Sequence, residues 1–368
     1  MIINYRFKIM YAFGIIFIVA SHCGNGGINL FFEWFPPYAF HLGLFIFVSG
    51  YFYKDQVEKE TKKYIFKKAK SLILPLYLWN ACYVLIIKLL SSKGFLMGLG
   101  DVTFSRLFIA PITSGHQFIY TLGGWFVIPL FMTQVYNVLI RKLFGLFFNN
   151  ITEWFWFLLN LFFGILGVYL ASKGLNTGWW LVLVRMLYFL PFYSLGILYK
   201  KVLEKHDNIS GFLYFGTIFA CQLIIIYFYG RSPSYVPSWC NNFVDGPILP
   251  FVVGYLGIAF WLRVSRSLEP IIGNSKIIIL ITDNMYSIMI NQLMGFMLVK
   301  TIFALINKFT IFCTNFNWTR YKTDIFYIYL PREIDQMKII YLITGITFPI
   351  IIQLMINKVK TRIKEKLN

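Results

Sequence analysis

The chain has 368 residues, 58% of them hydrophobic and 13% charged, and its mean hydropathy is +0.66. A soluble protein is about one-quarter charged, so this composition excludes an ordinary aqueous globule, a coiled coil and a disordered chain. The net charge of +19 does not point to nucleic acid, because Lys and Arg cluster at the ends of apolar runs and no basic stretch interleaved with aromatics forms a strand-binding groove.

At ~20 apolar residues per crossing plus a short connection, this length accommodates roughly nine to twelve membrane helices and no separate soluble domain. Continuous apolar windows, cut by basic or Pro/Gly/Asn-rich connections, predict ten: about 7–22, 36–53, 71–90, 118–140, 151–172, 180–199, 210–229, 247–262, 280–306 and 338–357. The expected fold is an all-α polytopic integral membrane protein in which residues 1–368 form one transmembrane domain. Arg6 and Lys8 precede the first window and no small-residue cleavage signature follows it, which reads as a retained span and not as a removed signal peptide. An even number of spans puts both termini on one side. With that side cytoplasmic, the inner segments hold 22 Lys and Arg and the outer segments ten, the bias expected in a cell membrane.

Between the windows, the outer connections 91–117 and 307–337 are long enough to hold structure, and 230–246 is more polar and turn-rich than a linker needs to be. Cys23, Cys82, Cys221, Cys240 and Cys313 contain no C-x-x-C pair, so they offer no metal or redox motif and at most one disulfide among those facing outward. No inverted repeat of interrupted helices marks a secondary transporter.

An ionisable side chain at bilayer depth costs ~2.5–3.5 kcal/mol on insertion scales, so each one needs a partner, water or a function. Here they are few: His22 closes the first window, His41 opens the second, His116 lies just before the fourth, and Arg185 and Asp283 fall in the sixth and ninth. The fourteen residues from Lys8 to His22 rise about 21 Å and end within about 40° of the starting face, so a cation and an imidazole share one stripe. His22 reads either as a hydrogen-bonded histidine closing a helix or as a general base, since imidazole best takes a proton near neutral pH. Ser49-Gly50 suits close helix packing. The seven lysines between positions 54 and 70 fit attraction to anionic lipid. They equally fit a receiver for a phosphorylated cytosolic ligand, with Lys67, Lys68 and Lys70 nearest the helix mouth.

Several stretches in order resemble one family. These are the first window ending in His22, Phe-His-x-x-Leu-Phe-x-Phe-x-Ser-Gly-Tyr-Phe at 40–52, Lys67-Lys68 leading to Leu-Pro-Leu-Tyr-Leu-Trp at 74–79, Gly124-Trp125-Phe126, and Tyr-Phe-Leu-Pro-Phe-Tyr-Ser-Leu-Gly at 188–196. Together they resemble the membrane-bound acyltransferase-3 family, whose characterised members are mainly bacterial enzymes that O-acylate surface and capsular sugars. The resemblance implies about ten helices, acetyl-CoA or a similar acyl donor as co-substrate from the cytoplasm, a glycan hydroxyl as acceptor, and no metal. It places His22 as the base, His41, Ser49, Tyr77, Trp125 and Arg185 as acceptor or pocket residues, and Lys67, Lys68 and Lys8 at the CoA phosphates. Two positions depart from the family's pattern. The arginine eleven residues before the histidine is Tyr11 here, which makes Lys8 the nearest cation, and a histidine common in relatives is Asn291 at the end of Tyr-Ser-Ile-Met-Ile-Asn. The alternatives are a polysaccharide exporter, for which Arg185 and Asp283 are the obvious mid-membrane charges, and a non-catalytic subunit of a glycan synthase.

Overall fold

The computed structural model describes residues 4–24, 26–28, 34–95, 102–148 and 150–367. Among the described residues every regular element is helical. Twelve helices frame the account: α1 (Tyr5–Ser21), α2 (Pro37–Tyr51), α3 (Thr61–Ser92), α4 (Ile119–Phe144), α5 (Glu153–Ser172), α6 (Gly178–His206), α7 (Gly211–Tyr229), α8 (Leu249–Ile272), α9 (Lys276–Asp283), α10 (Met285–Phe309), α11 (Trp318–Thr323) and α12 (Asp335–Lys366).

Eight of these are long and apolar enough to cross a membrane: α3 to α8, α10 and α12. Two more of the ten windows are the shorter α1 and α2, of 17 and 15 residues, or about 22–25 Å against a ~30 Å hydrocarbon core. The windows found the elements and missed some ends. The lysine-rich stretch before position 71 forms the first turns of α3, because 61–74 contains neither Gly nor Pro to stop a helix. Pro75 has no N–H for the preceding turn, and the chain meets it with a wide turn over Ala69–Ile73. The 280–306 window divides at Asn284, whose φ of −114° and ψ of 13° separate α9 from α10. Of the 91–117 connection, residues 96–101 lie outside the described ones, and the remainder carries helical turns over Ser105–Ile109 and Ala110–Thr113. The five cysteines are all free.

Ion pairs join helix ends at one face. Arg6 at the start of α1 binds Glu204 at the end of α6, and its backbone N–H donates to Glu269 of α8 at 3.1 Å. Arg141 at the end of α4 grips Glu153 at the start of α5 through two hydrogen bonds of 3.0 and 2.6 Å, and Lys201 of α6 joins the same carboxylate at 2.8 Å. Arg263 of α8 pairs with Asp207 just before α7. At the opposite face Lys338, in the first turns of α12, reaches the Gly27 carbonyl beyond α1 at 3.1 Å. The long helices therefore alternate in direction between a basic face and an opposite face.

α6 is the central post, with 83% of its apolar window buried against 11% for the peripheral α7. It meets α2 at two glycines. A Cβ on Gly50 would run into the Tyr193 carbonyl, and one on Gly196 into the Phe47 carbonyl. The Ser49-Gly50 pair thus divides its work, with Gly50 admitting α6 and Ser49 facing the interior cavity. Such backbone contact is how helices associate where lipid removes the hydrophobic drive. Gly50→Leu is expected to lower the thermal midpoint of the detergent-solubilised protein, with a cost of about 1–3 kcal/mol or more from overpacking. An unchanged midpoint would contradict the close crossing.

Candidate active site

A cavity of about 750 Å³ lies between α1, α2, α4 and the start of α10. On α1 it is walled by Tyr11, Ile15, Ile18 and His22, a spacing of four, three and four residues that marks one face of a helix. α2 contributes Tyr38, His41, Leu42, Phe45 and Ser49, and α4 contributes residues from Ile119 to Gln134. The lining runs from Lys68, Leu72 and Tyr286 toward the basic face to Trp239 and Phe326 toward the opposite face. Among the described residues Lys68 is the one Asp, Glu, Lys or Arg in this wall. The described residues contain no group of three His, Cys, Asp or Glu placed to hold a metal ion.

His22 stands where α1 stops, followed by Gly24, Gly26 and Gly27, all at positive φ. Its Nδ1 lies 3.2 Å from Oε1 of Gln292 on α10. The Gln292 amide is oriented by its other end, where Nε2 donates to the Met289 carbonyl at 3.3 Å. An amide oxygen facing Nδ1 requires the proton on that nitrogen, so Nε2 of His22 is the unprotonated nitrogen, with its lone pair available. This is the tautomer a general base needs. Gln292 escaped the sequence reading because an uncharged amide in an apolar helix carries no signal of its own. Its neighbour Asn291 drew notice instead, yet Asn291 is buried away from the cavity, accepting from Tyr83 Oη at 2.9 Å and donating to the Ser287 carbonyl at 3.1 Å.

The other sequence-predicted residues separate into three groups. His41, Ser49, Trp125 and Lys68 line the cavity with His22. The Ser49 hydroxyl accepts from Gln134 Nε2 at 2.7 Å, while Gln134 Oε1 is buried with no partner. His41 donates from Nδ1 to the Pro37 carbonyl in its own first turn. Arg185 is fully buried behind the wall and does not line the cavity, its guanidinium 4.8 Å from the centre of the Trp125 ring. Lys8, Lys67 and Tyr77 are placed elsewhere. Lys8 shares the α1 stripe as expected but sits one turn below the cavity and pairs with exposed Asp283 at 3.2 Å. Tyr11, one turn above, occupies the wall and stacks on Phe45 with ring centres 5.6 Å apart. Lys67 points outward and is exposed. Tyr77 is about 140° around α3 from cavity-lining Leu72, and its hydroxyl donates to the Phe108 carbonyl at 2.9 Å.

At the end nearer the opposite face, the imidazole of His116 stacks on the indole of Trp239, with ring centres 4.1 Å apart and planes 14° from parallel. Burial and the neighbouring Arg185 guanidinium push the His116 imidazole down to about 3, so it is neutral at physiological pH. Trp239 belongs to the 230–246 loop, which is built as expected for more than a linker. Arg231 binds both oxygens of Asp245 at 2.7 Å, Tyr235 donates to the same carboxylate at 2.8 Å, and Asn242 accepts from the Val236 N–H at 2.8 Å.

The family model described as an acyltransferase domain, acyltransferase-3, matches residues 4–321, which hold every cavity-lining residue except Phe326. The chain belongs to the acyltransferase-3 family. No curated protein and no solved structure matches it. It is a multi-pass membrane acyltransferase with the His22 imidazole in the wall of a largely apolar cavity. Gln292→Leu is expected to lower kcat for acyl transfer about tenfold, the scale of one lost hydrogen bond, with little change in donor KM. A wild-type kcat would show that the Gln292 contact does not set the tautomer.

Proposed function

We propose that this acyltransferase moves an acetyl group from acetyl-CoA to a hydroxyl of a cell-surface or lipid-linked glycan, with His22 as general base. The observation that carries the reading is that His22 and Lys68 line one cavity. Lys68 lies toward the basic face, where a cation meets the phosphates of CoA, and exposed Lys67 adds positive charge beside it. The apolar walls of α1, α2 and α4 suit the pantetheine arm. The basic face is the cytoplasmic one in this reading, with both termini there, on the strength of the Lys and Arg bias and of the donor's source.

The chemistry asks for little beyond alignment. The acceptor hydroxyl attacks the thioester carbonyl carbon, its proton passes to His22 Nε2, and the C–S bond breaks as the CoA sulfur leaves and takes that proton from the imidazolium. Gln292 keeps Nδ1–H fixed throughout, so Nε2 alone carries the transfer. Water exclusion by the apolar wall protects the thioester from hydrolysis.

The exporter alternative loses its charges. Arg185 is held between backbone carbonyls, and Asp283 lies at the basic face, exposed and paired with Lys8, so neither is free at mid-membrane for coupling. The acetyl-transfer reading predicts that His22→Ala, at equal protein level, reduces acetylated glycan in a vesicle or strain assay by about 10²- to 10⁴-fold, the contribution of a positioned base. Unchanged acetylation would remove His22 from the chemistry. Lys68→Ala is expected to raise the acetyl-CoA KM about tenfold with kcat largely retained, the scale of one charge-assisted hydrogen bond, and an unchanged KM would put the nucleotide elsewhere.

A further inference from the structure

His116 and Trp239 come from connections far apart in sequence, the turn before α4 and the loop before α8. What brings them together is Arg185 of α6. Its Nη1 donates to the carbonyl of Ser114, two residues before His116, at 2.9 Å, and its Nη2 donates to the carbonyl of Ser238, one residue before Trp239. A buried guanidinium that donates to carbonyls from two loops acts as a clamp, because losing either bond would leave a charge in the membrane interior still less compensated, its Nε already being without a partner. The turns at both clamp points are set in turn. The His116 N–H donates to Ser114 Oγ at 3.3 Å, and Gly115, at φ +68°, packs so closely on Trp125 that no side chain fits there. Cys240 adopts φ 47°, with its Sγ bonded to the Pro237 carbonyl at 3.1 Å.

The clamped pair presents a particular chemistry to the cavity. One face of the Trp239 indole is covered by His116, and the residue as a whole is 48% exposed. Beside it, His116 Nδ1 and Gln117 Oε1 are buried without hydrogen-bond partners, and both residues line the cavity along with Ser238. The Gln117 side chain is held by its Nε2, which donates to Asn80 Oδ1 at 2.9 Å, while its Oε1 is buried with no partner. An aromatic face flanked by unmet polar atoms matches a pyranose ring, which has an apolar C–H face and a rim of hydroxyl donors. Among the described residues no Asp, Glu, Lys or Arg lines this end, which selects an uncharged sugar over an anionic one.

We propose that His116, Gln117 and Trp239 form a subsite for an uncharged hexopyranose, with Arg185 as the positioning residue that holds its two halves together. The inference deepens the acetyl-transfer reading, for which this sugar is part of the acceptor, but the subsite itself is a binding claim that stands apart from catalysis. The His22 imidazole, the platform and Lys68 then line successive parts of one cavity, with the acceptor approaching from the face opposite the lysines.

The test is saturation-transfer NMR on the full-length protein in nanodiscs prepared without sugar detergents, using the methyl glycosides of glucose, galactose, mannose and N-acetylglucosamine as probes. At least one glycoside is expected to receive saturation from the wild type, Trp239→Ala to weaken that binding about tenfold, and Trp239→Phe to retain most of it. Arg185→Gln is expected to weaken binding as Trp239→Ala does. Absence of transfer to all four glycosides, or equal transfer to wild type and Trp239→Ala, overturns the subsite. Consumption of labelled acetyl-CoA by the same wild-type sample is the separate readout for acetyl transfer. Consumption without glycoside binding defeats the subsite alone, and glycoside binding through Trp239 without consumption supports the subsite and defeats acetyl transfer.

Discussion

The hydrogen bond between His22 and Gln292 couples the first helix to the tenth-numbered one, and the role proposed for His22 rests on it. An imidazole at the end of an apolar helix gains nothing as a base if its lone pair is turned into the protein. Here the amide oxygen takes Nδ1, the Met289 carbonyl holds the amide, and the lone pair on Nε2 is left over. The constraint reaches further into the fold. α10 meets α4 where Gly123 lies against the Met289 carbonyl with no room for a Cβ, so the residue that orients Gln292 is itself pressed against the cavity wall. A shift of α10 along its axis would therefore disturb the helix contact, the amide and the tautomer together.

Much of this was legible in the sequence for a simple reason: in a bilayer, backbone groups must be satisfied within each helix, so apolar length reports structure directly. Each of the ten windows falls on helix, though 280–306 falls on two, and the period of an α-helix placed Lys8 and His22 on one stripe. What the period does not give is where a cavity begins. Lys8 lies on the right face but a turn too low, where Asp283 meets it, and the wall position falls to Tyr11. Tyr77 lies near Lys68 in sequence, yet the five residues from cavity-lining Leu72 turn it away from the cavity and toward Phe108. Both outcomes depend on which neighbours pack against a face, and a single chain's periodicity does not record its neighbours.

Uncharged polar groups were the harder part to read. Gln134, Gln117 and Gln292 look like incidental amides in apolar runs, and only the fold shows that the first two line the cavity and the third meets His22. Arg185 was conspicuous as a mid-membrane charge, but its role is the reverse of a mobile charge: its bonds to two loop carbonyls fix it and fix them. The basic face shows the same principle on a larger scale. Arg6, Arg141 and Arg263 are each held by a carboxylate from another helix, so charge there closes the bundle, while Lys68 is left to face the cavity.

The central claim is that one passage carries a nucleotide-tethered acyl group from the lysine-rich mouth to His22. A cryo-EM structure of the protein with a non-hydrolysable thioether analogue of acetyl-CoA tests it most directly. The account predicts density for the acyl end beside His22 Nε2, the pantetheine arm between α1 and α4, and the phosphates at Lys68. Analogue bound at any site from which its acyl end does not reach His22, such as the separate cleft between Tyr199 and Tyr214, would contradict it.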